Sequence, residues 1–314
     1  MAETIPGLRI GHATDRAART GCSVLIGPFR AACDIRGLAT GSRELDALAP
    51  SHLVPVVDAI LLTGGSAFGL AAAEGVVRWL EARGAGFDTG VARVPIVPAA
   101  VIYDLRVGRA DVRPDEAMGR AACDAAMSGP IEEGRVGAGT GATVGKILGP
   151  EAAVDGGLGC WSGRLAGHSF LALAVVNALG DVRAEDGRVI AGARGEDGRF
   201  LDAALQLREH GARAGAAFDR VAETPAPGTN TTLAVVATDA PLARDALAAL
   251  ARMAGAGVAR RITPVNTPFD GDIVFALSTS PEPAAVDPRE LLALGAAAAW
   301  AIEQAVERAV SDVG

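Results

Sequence analysis

A threonine at the start of an apolar run is the residue of this chain with the clearest capacity for chemistry. Thr231 follows a loop containing Pro225, Pro227 and Gly228, and it opens the β-branched segment 232–238. Threonine has a stiff χ1, so a strand can aim its Oγ reproducibly. If the peptide bond before Thr231 were cut, the residue would carry a nucleophilic hydroxyl together with an α-amine whose ordinary pKa is about 7.7–8.0. The alternative interpretation is an ordinary junction between a loop and a strand.

Two acidic residues separated by one glycine are a second candidate for a catalytic or binding role. Asp270 and Asp272 precede the apolar segment 273–276, where alternate side chains point to the same side of the chain. They could hold an ammonium group or orient a terminal amine, and the alternative is a solvated Asp-Gly turn. Asn177 ends another apolar run, where an unsatisfied amide would be costly, and it could donate to an oxyanion.

The glycine-rich segment 137–146 invites a nucleotide-binding interpretation that its details do not support. A phosphate-binding loop needs glycine at position 140 and a hydroxyl residue at position 147, and the chain has Thr140 and Ile147 there. Residues 131–135 do not form the buried strand that a dinucleotide fingerprint requires. We interpret the segment either as a turn that places Lys146 beside a substrate cleft or as a purely structural turn.

Other catalytic patterns are missing from the sequence. No Gly-x-Ser-x-Gly elbow occurs, and four histidines lack both metal-ligand spacing and a neighbouring acid: His12, His52, His168 and His210. An enzyme whose base is a chain terminus needs no histidine. We expect no cofactor and no metal.

Composition limits the class of protein. Half of the 314 residues are apolar and only 4% are aromatic, so the core must consist mainly of Ala, Val, Leu and Ile. The net charge of −8 without a basic cluster argues against a nucleic-acid partner. No apolar run reaches the roughly 20 residues that span a bilayer. The four cysteines match no zinc pattern, and we expect them reduced and buried: Cys22, Cys33, Cys123 and Cys160.

The amino-terminal residues and a glycosylation pattern bear on location. Asn230-Thr231-Thr232 fits the pattern Asn-x-Ser/Thr, which acts only in secreted proteins. Residues 1–7 contain no basic segment and no continuous apolar run, so we expect no signal peptide. We therefore expect a cytoplasmic protein and no glycan at Asn230.

Strands and helices must position these residues. Strands are predicted at 22–26, 58–62, 171–177, 232–238 and 272–278, with an extended segment at 95–103. Helices are predicted at 66–83 with Ser66 as N-cap, at 115–127, at 241–255 begun by Asp239, and at 288–310. A turn at Gly180 and Asp181 would pair residues 182–191 with the strand 171–177 in a hairpin. The Pro-rich residues 223–228 are interpreted as an exposed loop. Groups of strands between long apolar helices favour sheets packed on each other and covered by helices.

The order and spacing of these motifs resemble one family, the DmpA-type aminopeptidases of the wider DmpA/ArgJ-like group. The matching segments cover nearly the whole chain: 63–70 (Thr-Gly-Gly-Ser-Ala-Phe-Gly-Leu), 100–104, 134–146, 174–177, 230–242 and 270–272 (Asp-Gly-Asp). The 6-aminohexanoate-oligomer (nylon) hydrolases look like a branch of this family, because they share the Asn-Thr-Thr and Asp-Gly-Asp elements.

The resemblance implies a fold and a set of roles. The fold would be an α/β four-layer αββα sandwich, a single catalytic domain over residues 1–314. Self-cleavage between Asn230 and Thr231 would give chains 1–230 and 231–314, assembled as a homo-oligomer of αβ heterodimers. Thr231 would be the nucleophile and Asn177 an oxyanion donor. A network that tunes the nucleophile and a substrate contact would be supplied by Lys146, Asp270, Asp272 and Tyr103.

The implied reaction is amide hydrolysis through an acyl-enzyme on Thr231. Its substrates would be short peptides, amino-acid amides or esters that carry a free amine, and Asp270 and Asp272 would favour that ammonium. Many family aminopeptidases have serine at the positions of Thr231 and Asp270, so this chain leans toward the oligomer-hydrolase branch. The alternatives are acyl transfer, as in ornithine acetyltransferases, and a non-catalytic binding protein.

Overall fold

The computed structural model describes residues 2–211 and 229–311. Five α-helices lie within those ranges: α1 (Ala72–Glu81), α2 (Glu116–Asp124), α3 (Ala203–His210), α4 (Arg244–Arg261) and α5 (Pro288–Arg308). The longer strands are β1 (Arg9–Asp15), β2 (Thr20–Ile35), β4 (Val57–Thr63), β10 (Gly157–Leu165), β11 (His168–Asn177), β14 (Thr231–Thr238) and β16 (Ile273–Ser278). The shorter ones are β3 (Ser42–Arg43), β5 (Phe87–Asp88), β6 (Arg93–Val94), β7 (Ala99–Val101), β8 (Thr143–Val144), β9 (Val154–Asp155), β12 (Asp181–Arg183), β13 (Val189–Ala191) and β15 (Ile262–Thr263).

The long strand β2 joins two halves of the main sheet. Its first part pairs antiparallel with β1 and β4, and its last part pairs antiparallel with β16. The strand order is β10-β11-β14-β16-β2-β4-β7-β3. The register between β2 and β4 shifts between Ile26 and Phe29. Such an irregularity bends a strand, and here it lies just before the point where pairing with β4 ends at Phe29 and pairing with β16 begins at Arg30.

Three apolar clusters define four layers. Alternate residues of β14 point to opposite faces: Leu233 and Val235 join a central cluster with residues of β2 and β4, whereas Ala234 and Val236 join a second cluster with α4 and α5. A third cluster lies between β4 and helices α1 and α2, and it contains Leu61. Helices, sheet, sheet and helices therefore stack in that order, and the expected αββα sandwich is confirmed.

Most of the predicted elements are present, and the start of two helices differs from the prediction. Residues 66–71 form a 3₁₀ turn before α1, Gly65 is the capping residue, and the side chain of Ser66 makes no capping hydrogen bond. The prediction of Ser66 as N-cap is therefore wrong. Helix α4 begins at Arg244 instead of after Asp239, because the Asp239 carboxylate accepts the Ser169 N–H at 2.9 Å in the adjacent strand.

The predicted hairpin is also wrong. Strand β12 pairs with β13 and β15, because β10 and β14 already occupy both edges of β11. Helix α3 was not predicted from the polar segment that contains it, although Asp202 caps it by accepting the Leu205 N–H at 2.9 Å. The proposed loop 223–228 lies outside the described residues.

All four cysteines are free thiols, and three of them are fully buried. Among residues 2–211 and 229–311, no helix has the length and apolar content to span a membrane.

Candidate active site

Adjacent strands bring the predicted residues together at one end of the sheet. Thr231 is the first residue of β14, and Asn177, the last residue of β11, lies directly opposite it in the antiparallel register. Asp272 directly precedes β16, the parallel neighbour of β14. Lys146 follows the short strand β8. All four side chains are buried, so the site lies between the layers of the sandwich and not on a surface loop.

The peptide bond before Thr231 has two hydrogen-bond donors on its carbonyl oxygen. The Thr231 hydroxyl donates to the Asn230 carbonyl oxygen at 2.5 Å. The Gly271 N–H donates to the same oxygen at 2.8 Å. A Cβ at position 271 would lie 2.8 Å from the Thr231 Oγ. Only glycine therefore lets this loop approach the Thr231 hydroxyl so closely.

The Asn230 side chain is held away from its own carbonyl carbon. Its amide nitrogen donates to the Thr229 hydroxyl and to the Phe269 carbonyl oxygen, both at 3.3 Å. Asn230 is 0% exposed, and its Oδ1 has no hydrogen-bond partner among the described residues. The bond between residues 230 and 231 is thus enclosed by protein.

Lys146 and Thr143 fix the orientation of the Asn177 amide. The Lys146 Nζ donates to the Asn177 Oδ1 at 2.8 Å and to its main-chain oxygen at 2.9 Å, and the Thr143 N–H donates to Oδ1 at 3.1 Å. With its oxygen occupied by donors, the amide directs Nδ2 toward the carbonyl oxygens of Tyr103 and Thr229, at 3.2 and 3.4 Å. The Asn177 Nδ2 is therefore held against the main-chain oxygen of Thr229, the residue before Asn230.

Burial makes Lys146 a candidate base. Removal from water lowers the pKa of its ammonium to about 7, while the negative charges of Asp270 and Asp272 act in the opposite direction. An amine with this pKa is partly neutral near pH 7 and can accept a proton.

The two acids stabilise the loop that carries Gly271. Asp272 accepts the Thr232 N–H at 2.6 Å and the Asn266 N–H at 3.1 Å. Asp270 accepts both the N–H and the hydroxyl of Thr267, at 2.9 and 2.6 Å. Burial and the neighbouring charge of Asp270 raise the pKa of Asp272.

These contacts bear on the expectation that Asp270 and Asp272 meet a substrate ammonium. Each is 2% exposed, and each accepts two hydrogen bonds from protein donors. Neither lines the cavity beside the site. Their contacts are instead with Thr232, Asn266 and Thr267.

A cavity of about 260 Å³ opens beside the buried cluster. Its inner wall includes Tyr103, Thr143, Lys146 and Thr229, and its charged lining also contains Arg19, Arg106, Glu151 and Asp155. Tyr103, predicted to contact substrate, lies on this wall. Ligand cavities typically measure about 300–1,000 Å³, so this one suits a small substrate.

Some site residues escaped the sequence analysis. Gly271 lay inside a recognised Asp-Gly-Asp element, but its close approach to Thr231 depends on packing between distant segments. Thr143 belonged to the glycine-rich segment without being singled out, and Glu151 gave no signal.

The histidines take no part in this cluster. The ring of His12 hydrogen-bonds the Ser23 hydroxyl at 2.8 Å, and burial lowers the pKa of His12 to about 4. His168 contacts Asp239 at 3.1 Å.

Comparisons with known proteins identify similar sequences. The chain matches peptidase family S58 over residues 4–312. It is 41% identical to an uncharacterized aminopeptidase of Mycobacterium tuberculosis, with 96% of this chain and 91% of the relative covered. It is 33% identical to a 6-aminohexanoate-oligomer endohydrolase of Agromyces sp., with 87% of this chain and 73% of the relative covered.

Two solved structures have a similar fold. A β-aminopeptidase of Burkholderia sp. superposes with a TM-score of 0.67 at 24% identity, covering 98% of this chain and 84% of its own. The L-aminopeptidase D-Ala-esterase/amidase of Ochrobactrum anthropi, described as a variant of the Ntn hydrolase fold, gives a TM-score of 0.68 at 21% identity, covering 98% and 84%. At these identities the likeness concerns the fold.

Proposed function

Because this chain belongs to peptidase family S58 and is a hydrolase of peptide or amide bonds, we propose that Thr231 becomes its amino-terminal nucleophile by self-cleavage after Asn230. The observation that carries the proposal is the contact at the cut position. The Thr231 hydroxyl lies 2.5 Å from the Asn230 carbonyl oxygen, and the Gly271 N–H already donates to that oxygen. The attacking group and a donor for the developing oxyanion are therefore in place before reaction.

The processing reaction would proceed in two steps. The Thr231 oxygen forms a bond to the Asn230 carbonyl carbon, the C–N bond breaks, and the hydroxyl proton ends on the Thr231 nitrogen. Water then hydrolyses the resulting ester, which leaves a carboxylate on Asn230 and restores the Thr231 hydroxyl. Since Asn230 is 0% exposed, an intramolecular attack is favoured over cleavage by a second protein molecule.

Cyclisation of Asn230 is the competing route to chain cleavage. It requires the side-chain nitrogen of Asn230 to attack its own carbonyl carbon, and that nitrogen is engaged with Thr229 and Phe269. The arrangement supports attack by Thr231 instead.

In turnover, the same hydroxyl would attack a substrate amide. The free α-amine of Thr231, with an ordinary pKa of about 7.7–8.0, would accept the proton. Lys146, partly neutral near pH 7, would assist it, and the Asn177 Nδ2 would stabilise the oxyanion. The acyl-enzyme would then be hydrolysed by water.

The proposed substrates are small amines that also carry an amide or ester: short peptides, amino-acid amides or linear ω-amino-acid oligomers. The oligomers are supported by the residue types Thr231 and Asp270, which resemble the oligomer-hydrolase branch, and by the name of the Agromyces relative. Acyl transfer, as in ornithine acetyltransferases, is the second reaction class, and it would need an amine in place of water as acceptor. We propose that the working form is a homo-oligomer of processed αβ units.

Gel electrophoresis and intact mass spectrometry test the processing step. Division of the 31.6 kDa chain at residue 230 predicts fragments of about 23 and 8 kDa. Thr231→Ala should remain one band, whereas Asn230→Ala and Thr231→Ser should still be cut. The rate should not change on dilution. Persistence of the intact wild-type chain together with full activity would refute the mechanism.

Hydroxylamine trapping tests turnover. With a panel of amino-acid 4-nitroanilides, the processed enzyme should form a hydroxamate, and water should be the acceptor when no amine is added. Faster product formation with an added amine would favour acyl transfer. Absence of both hydrolysis and trapping would favour a binding protein.

A further inference from the structure

The cavity lined by Lys146 and Thr229 also contains acidic and basic side chains, and their charges are unequally paired. Asp155 is paired with two arginines, Arg19 and Arg135, the latter at 2.6 Å. Glu151 also lines the cavity, and it makes no hydrogen bond or ion pair with any described residue. Arg106 lines the cavity too, and it has a partner of its own. Glu151 is therefore the carboxylate of this lining that forms no ion pair within the described residues 2–211 and 229–311.

The other acids near the nucleophile are already engaged. Asp270 and Asp272 are buried; each oxygen of Asp272 accepts a backbone N–H, and the Oδ2 of Asp270 accepts the N–H and the hydroxyl of Thr267. An incoming ammonium group would have to displace those donors to reach them, whereas the side chain of Glu151 is exposed and available.

The position of Glu151 separates it from the reacting bond. Lys146 is a buried residue of the cavity lining, whereas Glu151 is an exposed residue of the 3₁₀ turn Pro150–Ala152 that follows it. A sphere with the cavity's volume of about 260 Å³ has a diameter of about 8 Å. The amine of an extended 6-aminohexanoyl group lies on the order of 7 Å from its carbonyl carbon, whereas that of an α-amino acid lies only about 2.5 Å away.

We propose that Glu151 binds the substrate ammonium at the cavity rim and so selects acyl groups whose amine lies several bonds from the scissile carbonyl. The proposal rests on the function proposed above and makes Glu151 a specificity-determining residue. It favours ω-amino acyl groups over α-amino ones, because only the longer chain can place its carbonyl beside Thr231 and its ammonium beside Glu151.

Steady-state kinetics with matched substrates test this assignment. The substrates are 4-nitroanilides of alanine, β-alanine and 6-aminohexanoic acid, each with a free or an acetylated amine. Processed Glu151→Gln should lose about fivefold in kcat/KM on the free 6-amino substrate, mainly through KM, since exposed ion pairs contribute modestly. Its rate on the acetylated forms should equal that of the wild type. The difference should shrink in high salt, which screens exposed charges.

Two further variants sharpen the test. Glu282→Gln removes another exposed acid that does not line the cavity, and its kinetics should match the wild type. Glu151→Lys should hydrolyse an adipoyl anilide faster than the wild type does. This substrate carries a carboxylate at the position of the ammonium in the 6-aminohexanoyl anilide. An equal loss by Glu151→Gln on free and acetylated substrates would overturn the proposal, because that pattern indicates a structural defect.

Direct binding separates this proposal from the proposed function. Calorimetry with hexylamine should give a weaker Kd for Glu151→Gln than for the wild type, by about fivefold, with hexanol as the uncharged control. If the wild type cleaves no amide but this difference remains, the proposed function fails and the Glu151 assignment stands. If amides are cleaved and hexylamine binds both proteins equally, the assignment fails alone.

Discussion

Substitution of Gly271 by alanine tests the geometry at the cut position with a single methyl group. The new Cβ would lie 2.8 Å from the Thr231 Oγ and 2.8 Å from the Ala39 carbonyl oxygen, about 0.6 Å short of the 3.4 Å at which ordinary contact begins. The φ of Gly271 lies outside the left-handed region, so alanine can adopt the backbone conformation. The Gly271 N–H that contacts Asn230 is retained. The substitution therefore displaces the Thr231 hydroxyl relative to Gly271 and also presses on the Ala39 carbonyl oxygen.

The expected effect follows from that displacement. A misplacement of 1 Å can cost about 100-fold in rate, so a shift of about 0.6 Å should slow processing roughly tenfold. The methyl group should also lower the free energy of unfolding by about 1–3 kcal/mol through overpacking. Processing is measured as the loss of the intact band after refolding, and stability by urea unfolding of the Thr231→Ala background, which stays uncut.

A control and a rescue complete the test. Gly195→Ala places its Cβ no closer than 3.2 Å to the flexible end of Leu201, and it should process at the wild-type rate. Thr231→Ser frees χ1 of the nucleophile, so it should recover part of the rate lost in Gly271→Ala, as a coupled pair does. If folded Gly271→Ala is cut within about twofold of the wild-type rate, the close approach does not position the nucleophile.

The remaining predictions concern pH and stability. Asp270→Asn removes a negative charge that raises the pKa of Lys146, so this pKa should fall below about 7. The acidic limb of the kcat/KM profile, measured from about pH 5 to 9, should therefore move to lower pH. An unchanged acidic limb would mean that Lys146 does not control it. Asp104→Ala removes the acceptor of the Thr20 hydroxyl and the Gly65 N–H, both at 2.7 Å. This loss should lower the free energy of unfolding by about 2–4 kcal/mol. Asp111→Ala, which removes one partner of an exposed ion pair, should leave the urea midpoint unchanged. Equal urea midpoints for the two variants would contradict the predicted role of Asp104.

Sequence order alone located the chemical groups of the candidate site. Thr231, Asn177 and Asp272 each lie at the end of a strand whose apolar run is visible in the sequence, and neighbouring strands bring such ends together. The layered fold followed for a similar reason, because apolar strands and helices can bury their faces only against each other. The residue types at these positions also carried the family resemblance.

Tertiary structure decided which groups each side chain meets. The edges of β11 are filled by β10 and β14, and this competition excluded the hairpin that the local turn predicted. The sequence left Asp270 and Asp272 open to a substrate ammonium, yet Asp272 accepts the Thr232 N–H of the neighbouring strand and Asp270 accepts the Thr267 N–H of its own turn. The sequence around Glu151 gave no signal of its proposed role. That role depends on Arg19 and Arg135 pairing with Asp155 and not with Glu151. Charge compensation and burial are set by contacts between residues far apart in the chain, so local sequence patterns do not encode them.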